Sequence, residues 1–371
     1  MTASPFTIGI IGCGVIFDAY AAGLTRFPFL RLAACADIRD DAARARAAAW
    51  GCRALPVDEL LADPQIGLVV NLTIPSAHAG ISRRIVAAGK HVYSEKPLAT
   101  GLADAEALLA EASARGLRVG CAPDTVLGGA HQTARALLDA GEIGRPLAGT
   151  AFCLEHGMED WHPDPDFFYR PGAGPMLDMG PYYVTALVSL LGPARRVSAL
   201  AGTGIAERVI GNGPRTGERI RVETPTHVAG TVEFASGALV TVVTSFEVEW
   251  HGHPHIEIYG TQGTLRLPDP NEFGGAVGIG RRKAALETVA TTRPFAEGDQ
   301  RGLGVAEMAA AIAAGRPHRA DGALARHVLE IMQGFETSAR LGTAVAVRST
   351  VDRPAPMPTV ADDAFAAARA A

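Results

Sequence analysis

The sequence predicts two domains of different class: an α/β domain with a parallel sheet over residues 1–122, then an α+β domain with a large, mainly antiparallel open sheet over residues 123–371. Three observations carry this. Up to Ala122, short apolar runs alternate with helix-compatible stretches, the pattern of a parallel sheet joined by right-handed crossovers. Beyond Gly141 the runs alternate apolar and polar residues with a period of two and return through short glycine-bearing turns, as antiparallel strands do. The length of 371 residues, 48% of them hydrophobic and 20% charged, suffices for two separate cores.

Thr7 to Ile11 is a β-branched apolar run that ends at Gly12-Cys13-Gly14, and Asp18 to Phe27 has helical composition. A strand, a glycine turn and a helix start form the setting for a dinucleotide pyrophosphate, because glycines admit the phosphates to the backbone and the helix start offers N–H donors. Gly12, Gly14, Val15 and Ile16 are therefore cofactor candidates. The third position of the fingerprint is Phe17, so the close packing that a glycine would allow must be arranged differently. Leu32 to Ala36 forms the next strand and ends at Asp37. A carboxylate there accepts both ribose hydroxyls and repels a 2′-phosphate, favouring NAD over NADP, while Arg39 weakens that preference. Asp37 has a second reading, as the cap of the helix Asp40 to Trp50.

Gly67 to Thr73 is a buried strand; its end, with Thr73 and Pro75, is expected to border the cofactor. His78 either lines that edge or bonds locally at the start of the helix that follows. His91 to Ser94 then runs into Glu95-Lys96-Pro97. A lysine at the carboxyl end of a buried strand points into the crevice where open α/β sheets bind ligands; Glu95 can orient it, and Pro97 biases its backbone to an extended form. A helix from Leu102 to Arg115 and a strand from Leu117 to Ala122 complete the domain.

In the second domain a helix, Ala130 to Ala140, precedes strands at Ala148 to Leu154, Arg196 to Leu200, Val228 to Phe234, Leu239 to Val248 and Ile256 to Tyr259. Turns at Ala235-Ser236-Gly237 and Gly260-Thr261-Gln262-Gly263 read as hairpins, Leu324 to Leu341 as an amphipathic helix, and the proline-bearing tail after Arg353 as a surface extension. Val240, Val242, Val243, Phe246 and Val248 suggest apolar residues on both faces of the sheet, hence a homodimer or homotetramer joined through it. Asp178 and Tyr182, four apart after a glycine- and proline-rich loop, share a face if that turn is helical; they and Tyr183 read equally as a cap and core tyrosines. His156, Trp161 and His162 concentrate polar groups around an aromatic, the composition of a carbohydrate-binding loop and also of an ordinary surface turn. Alternation would put His251, His253 and His255 on one strand face, but without a cysteine or a clear carboxylate partner no metal is expected.

The net charge of −5 and the absence of a basic run exclude a general attraction to nucleic acid or an anionic membrane. Five scattered cysteines without a Cys-x-x-Cys fit a reducing compartment, and with no apolar span or leader pattern the cytoplasm is expected.

GIIGCG (residues 9–14), Asp37, AGKHVYSEKPLA (88–99), GAGPMLDMG (172–180) and IYGTQGTL (258–265) together resemble the Gfo/Idh/MocA family of nicotinamide-dependent sugar oxidoreductases. The resemblance spans nearly the whole chain and implies a Rossmann domain, a C-terminal sheet domain, Lys96 beside the nicotinamide, and Asp178 as a partner in a sugar site. Where the family often has a catalytic histidine four residues after that aspartate, this chain has Tyr182. Lys96, Asp178 and Tyr182 are thus the catalytic candidates, and Asp124, His156, Trp161, His162 and Tyr183 the substrate-binding ones. The expected activity is hydride transfer between a sugar, glycoside or polyol hydroxyl and NAD; some relatives instead oxidise a glycoside transiently and achieve net hydrolysis, and an NAD-binding sensor without activity is a third class.

Overall fold

The first strand, β1 (Phe6–Ile11), is buried from Thr7 onward and pairs in parallel on both sides, with β2 (Leu30–Ala36) and β4 (Leu68–Asn71). Such a strand has both faces covered, which is why TIGII is continuously apolar and does not alternate. With β3 (Arg53–Ala54), β5 (His91–Ser94) and β6 (Val119–Cys121) it forms a parallel six-stranded sheet in the order β3-β2-β1-β4-β5-β6. The connections carry α1 (Phe17–Thr25), α2 (Asp40–Trp50), α3 (Val57–Ala62), α4 (Pro75–Ala87) and α5 (Leu102–Ala114). Strand order reverses between β1 and β4, so a crevice opens outside their carboxyl ends, where doubly wound sheets bind ligands.

The computed structural model describes residues 5–361, 363 and 365. These divide into two units. The first takes the chain up to Gly129 together with Arg293–Arg326 and the stretch from Pro354; the second takes Ala130–Thr292 and His327–Arg353. The spatial division therefore differs from a linear one at residue 122. A parallel sheet needs cover on both faces, and the late helix Leu303–Ala313 supplies it at β6, where a Cβ on Gly120 would lie 2.8 Å from Met308 Sδ.

The second unit is built on a nine-stranded sheet, ordered Glu287–Val289, Val277–Gly280, Thr264–Leu267, Ile256–Gly260, Pro146–Leu154, Leu239–Ser245, His227–Phe234, Ala194–Gly202 and Val345–Ala346. Every pairing is antiparallel except the central one between Pro146–Leu154 and Leu239–Ser245. Both expected hairpin turns join neighbouring strands. Ala151, Val228, Val232, Ile256 and Ile258 are buried on one face, with the helix Gly180–Leu191 packed against Pro146–Leu154. Val240, Val242 and Phe246 are fully buried, so the expectation of apolar residues on both faces narrows. The other face carries Val243 beside Phe152, and next to them a polar row of Ser198, Thr231, Thr241, Thr150, Glu257 and Arg266. No helix among the described residues is long and apolar enough to cross a membrane.

Candidate functional site

The loop after β1 is shaped by its glycines. Gly12 has φ +103°, and a Cβ there would lie 2.5 Å from the Leu72 carbonyl group, so only glycine fits. Above Gly14 the space is open: an added Cβ would meet nothing within 4 Å. No side chain caps the start of α1, whose N-cap is Ile16. Phe17, at the third fingerprint position, is wholly buried; α1 makes its close approach through Gly23, where a Cβ would lie 1.7 Å from Arg301 O.

This loop forms one wall of a cleft of ≈ 370 Å³ lined by Gly12, Gly14, Asp37, Arg39, Thr73 and Arg84 among others. Asp37 Oδ2 accepts the Cys13 N–H at 2.7 Å and Oδ1 accepts the Arg39 N–H at 2.9 Å. The N-cap of α2 is Arg39, without a side-chain cap, so Asp37 does not cap that helix; it anchors the glycine loop with its carboxylate in the cleft. Ile38, Ile74 and Val15 are exposed apolar side chains on these same loops, and Pro75 opens α4. A glycine loop with room above it, an anchored carboxylate and an apolar rim fit the pyrophosphate, adenine ribose and flat rings of a dinucleotide.

His78 does not line the cleft. It is 1% exposed, with Nδ1 2.7 Å from Pro97 O and Nε2 2.8 Å from Thr73 O. Lys96 is half-buried just past β5. Its backbone N–H donates to Glu95 Oε2 at 2.9 Å, and the Tyr20 hydroxyl donates to Glu95 Oε1 at 2.6 Å. Burial, then the Glu95 charge, raises the Tyr20 phenol well above its ordinary range, so it stays a donor. Glu95 thereby fixes the backbone of Lys96. Asp124 is 2% exposed, and its Oδ2 accepts the Gly302 and Gly304 N–H groups at 3.1 and 2.9 Å. It secures the start of helix Leu303–Ala313, a structural task in place of the expected sugar contact; burial raises its pKa to about 6.

In the second unit Asp178 ends a four-residue helix, Pro175–Asp178, and Tyr182 lies in the first turn of the next, Gly180–Leu191. Tyr183 is buried, and its hydroxyl lies 2.9 Å from His255 Nδ1. Burial, with the charges of Asp269 and Glu155 nearby, raises the Tyr183 phenol far above its usual range. His162 meets Trp161, Phe167 and Phe168 edge-on at 5.3–5.4 Å, and burial lowers its pKa despite Asp164 and Asp178. His156 Nδ1 lies 2.8 Å from Glu249 Oε1, and Trp161 is exposed. Beneath this loop Arg208 donates to Glu159 at 2.8 Å and to the carbonyls of His156 and Phe246, while Tyr169 donates to Glu159. The histidine run lies in a connection and not on a strand: His251 and His253 stack on each other, while His255 serves Tyr183. No cluster of three or more His, Cys, Asp or Glu among the described residues is arranged to hold a metal ion.

Sequence reasoning missed Tyr20, Glu155 and Asp269. Tyr20 follows the glycine loop by six residues, where only the three-dimensional meeting of α1 with the end of β5 reveals its partner. Glu155 and Asp269 each lie just past a strand end, a weak signal that their apolar neighbours obscure.

Residues 6–122 match the model of an oxidoreductase family with an NAD-binding Rossmann fold, and residues 131–266 match the GFO/IDH/MocA C-terminal domain. The chain is 28% identical to 1,5-anhydro-D-fructose reductase of Ensifer adhaerens over 56% of its own length and 59% of the relative's. It is 34% identical to dTDP-3,4-didehydro-2,6-dideoxy-alpha-D-glucose 3-reductase of Streptomyces violaceoruber over 53% and 57%. It thus spans little more than half the length of these curated relatives. A solved levoglucosan dehydrogenase, in complex with NADH and L-sorbose, superposes with a TM-score of 0.81 at 21% identity, covering 94% of this chain and all of that one, a likeness of fold. With both of its regions matched, the chain belongs to the Gfo/Idh/MocA oxidoreductases and carries their NAD-binding Rossmann domain.

Proposed function

We propose that this protein is an NAD-dependent oxidoreductase that moves a hydride between a hydroxyl-bearing carbon of a sugar, glycoside or polyol and nicotinamide. One observation carries the reading: a half-buried lysine, its backbone held by Glu95, stands at the carboxyl end of β5, beside the switch point whose glycine loop and Asp37 suit the cofactor. When bound, NAD supplies the hydride acceptor. Lys96 takes the hydroxyl proton in this reading, while Asp178 and Tyr182 are the catalytic candidates that the second unit contributes on its own. Tyrosine and lysine have reference pKa values of about 10 and about 10.4, so either acts as a base near neutrality only where burial or a neighbouring charge favours its deprotonated form; the half-buried Lys96 is proposed as the principal base. Asp37 favours NAD over NADP, and Trp161, with His156 and His162 beside it, supplies a stacking and hydrogen-bonding surface for a ring.

Incubation with a panel of sugars, glycosides and polyols in the presence of NAD, reading both NADH absorbance and released products, tests the proposal. Net NADH with at least one polyhydroxylated substrate is expected. A sugar released without net NADH would replace it with a redox-cycling glycosidase, and the absence of both signals would contradict catalysis on this class.

A further inference from the structure

His78 is the fourth residue of α4, and its ring reaches two loops at once. Nε2 lies 2.8 Å from Thr73 O, in the loop after β4, and Nδ1 lies 2.7 Å from Pro97 O, immediately after Lys96. Both distances are those of good N–H···O bonds, and a carbonyl oxygen can only accept. A neutral imidazole has one N–H, so both contacts are satisfied together only when the ring carries two protons. The charged groups facing the ring are Glu95, which favours that state, and Lys96, which opposes it; burial opposes it most and lowers the pKa.

The ring is 1% exposed, and its neighbours are tied to the same two loops. Asn71, at the end of β4, is fully buried; its Nδ2 donates to His78 O and to Ser82 Oγ, both at 3.0 Å. Its Oδ1 accepts the Thr73 hydroxyl at 2.7 Å, and its backbone oxygen accepts the Glu95 N–H at 2.8 Å. Asn71 and His78 together tie the first turn of α4, the Thr73 loop that lines the dinucleotide cleft, and the segment Glu95–Pro97 into one buried polar knot.

We propose that His78 is the positioning residue for Lys96, a buried strut between the loops after β4 and β5 that holds the lysine's backbone in register with the cofactor cleft. The proposal rests on the proposed role of Lys96 in proton transfer, but its test does not require turnover. The chain has only three lysines, Lys90, Lys96 and Lys283, so competitive acylation followed by peptide mass spectrometry reads Lys96 against an internal reference. In His78→Phe, which fills the space without donors, the labelling rate of Lys96 relative to Lys283 is expected to change severalfold, with NAD affinity measured on the same preparation. In the wild-type full chain, nitrogen-15 spectra of labelled histidine are expected to show His78 ring protons protected from solvent exchange, a readout that stands even if the variant does not fold. Where oxidation is measurable, kcat of His78→Phe should fall roughly tenfold to hundredfold with KM little changed, the mark of misplacement and not of lost binding. Ring protons that exchange as fast as those of an exposed histidine would overturn the proposal. So would unchanged Lys96 labelling in the variant, whether NAD still binds or not, because His78 would then serve the cleft alone or nothing.

Discussion

Asp37 and Asp124 are both carboxylates just past a strand of the parallel sheet, yet their surroundings give them opposite work. Asp37 accepts two backbone N–H groups from the edge of a cleft and keeps its outer face toward that cleft. A 2′-phosphate placed against it would meet like charge, which should cost a few kcal/mol, with about tenfold in affinity for each 1.4 kcal/mol. Titration with both nucleotides is therefore expected to favour NAD, and Asp37→Ser to narrow the gap by at least about tenfold; equal or tighter NADP binding by the wild type would show that Arg39 sets the preference. Asp124 is sealed from solvent and accepts the N–H groups of Gly302 and Gly304. Asp124→Ala should orphan those two donors and destabilise the protein by about 1–3 kcal/mol, whereas Asp124→Asn keeps an acceptor and should cost much less. Burial raises the Asp124 pKa from 3.8 to about 6, so across that window the native state holds its proton more tightly than the unfolded chain. Its contribution to stability therefore falls as pH rises from about 4 to about 6 and is level above, a slope that Asp124→Asn should remove from denaturant midpoints.

At the scale of elements, the strand-loop-helix of residues 6–25 separates folding from binding in a testable way. Gly12→Ala would drive a Cβ to within 2.5 Å of the Leu72 carbonyl group at a positive φ and should destabilise the fold itself. Gly14→Ala meets nothing within 4 Å, so it should fold normally, with an unchanged thermal midpoint, and lose NAD affinity. A Gly14→Ala variant that binds NAD as tightly as the wild type would remove the pyrophosphate from this loop. The β1 glycine loop, Asp37, and the β5 run into Glu95-Lys96-Pro97 were legible because strand burial and loop shape leave local traces in composition. Tyr20 and Asp124 were not, because each takes its meaning from partners brought close by the fold, the carboxylate of Glu95 and backbone N–H groups 178 and 180 residues further on; for His78 the local bond at the helix start was legible and the bond to the Pro97 carbonyl was not. The strands Val277–Gly280 and Glu287–Val289 escaped notice for a simpler reason: four and three residues, half of the first run glycine, leave no period to read.

For the whole molecule, two units read from one alternation of patterns, but the return of residues 293–326 to the first unit has no local signature; it follows from the need to cover a parallel sheet. The open-sheet argument for a homo-oligomer is reshaped by the register. The polar row through Thr231, Thr241 and Thr150 flanks Val243 and Phe152, and Leu200 and Leu239 stand exposed on the same face. A partner copy seated there would meet a mixed surface, so assembly through this face is expected to be wet as well as apolar. Light scattering at low micromolar concentration should give more than one chain; a clean monomer would contradict the proposed assembly.

The central claim, that Lys96 moves the proton in a hydride-transfer reaction, is tested most directly by turnover of Lys96→Met on a substrate the wild type oxidises, with NAD affinity measured on the same preparation. The substitution keeps approximate length and removes the charge. The account predicts NAD binding close to wild type and kcat lower by about 10² to 10⁴. Near-normal turnover, or a loss explained wholly by failure to bind NAD, would contradict it.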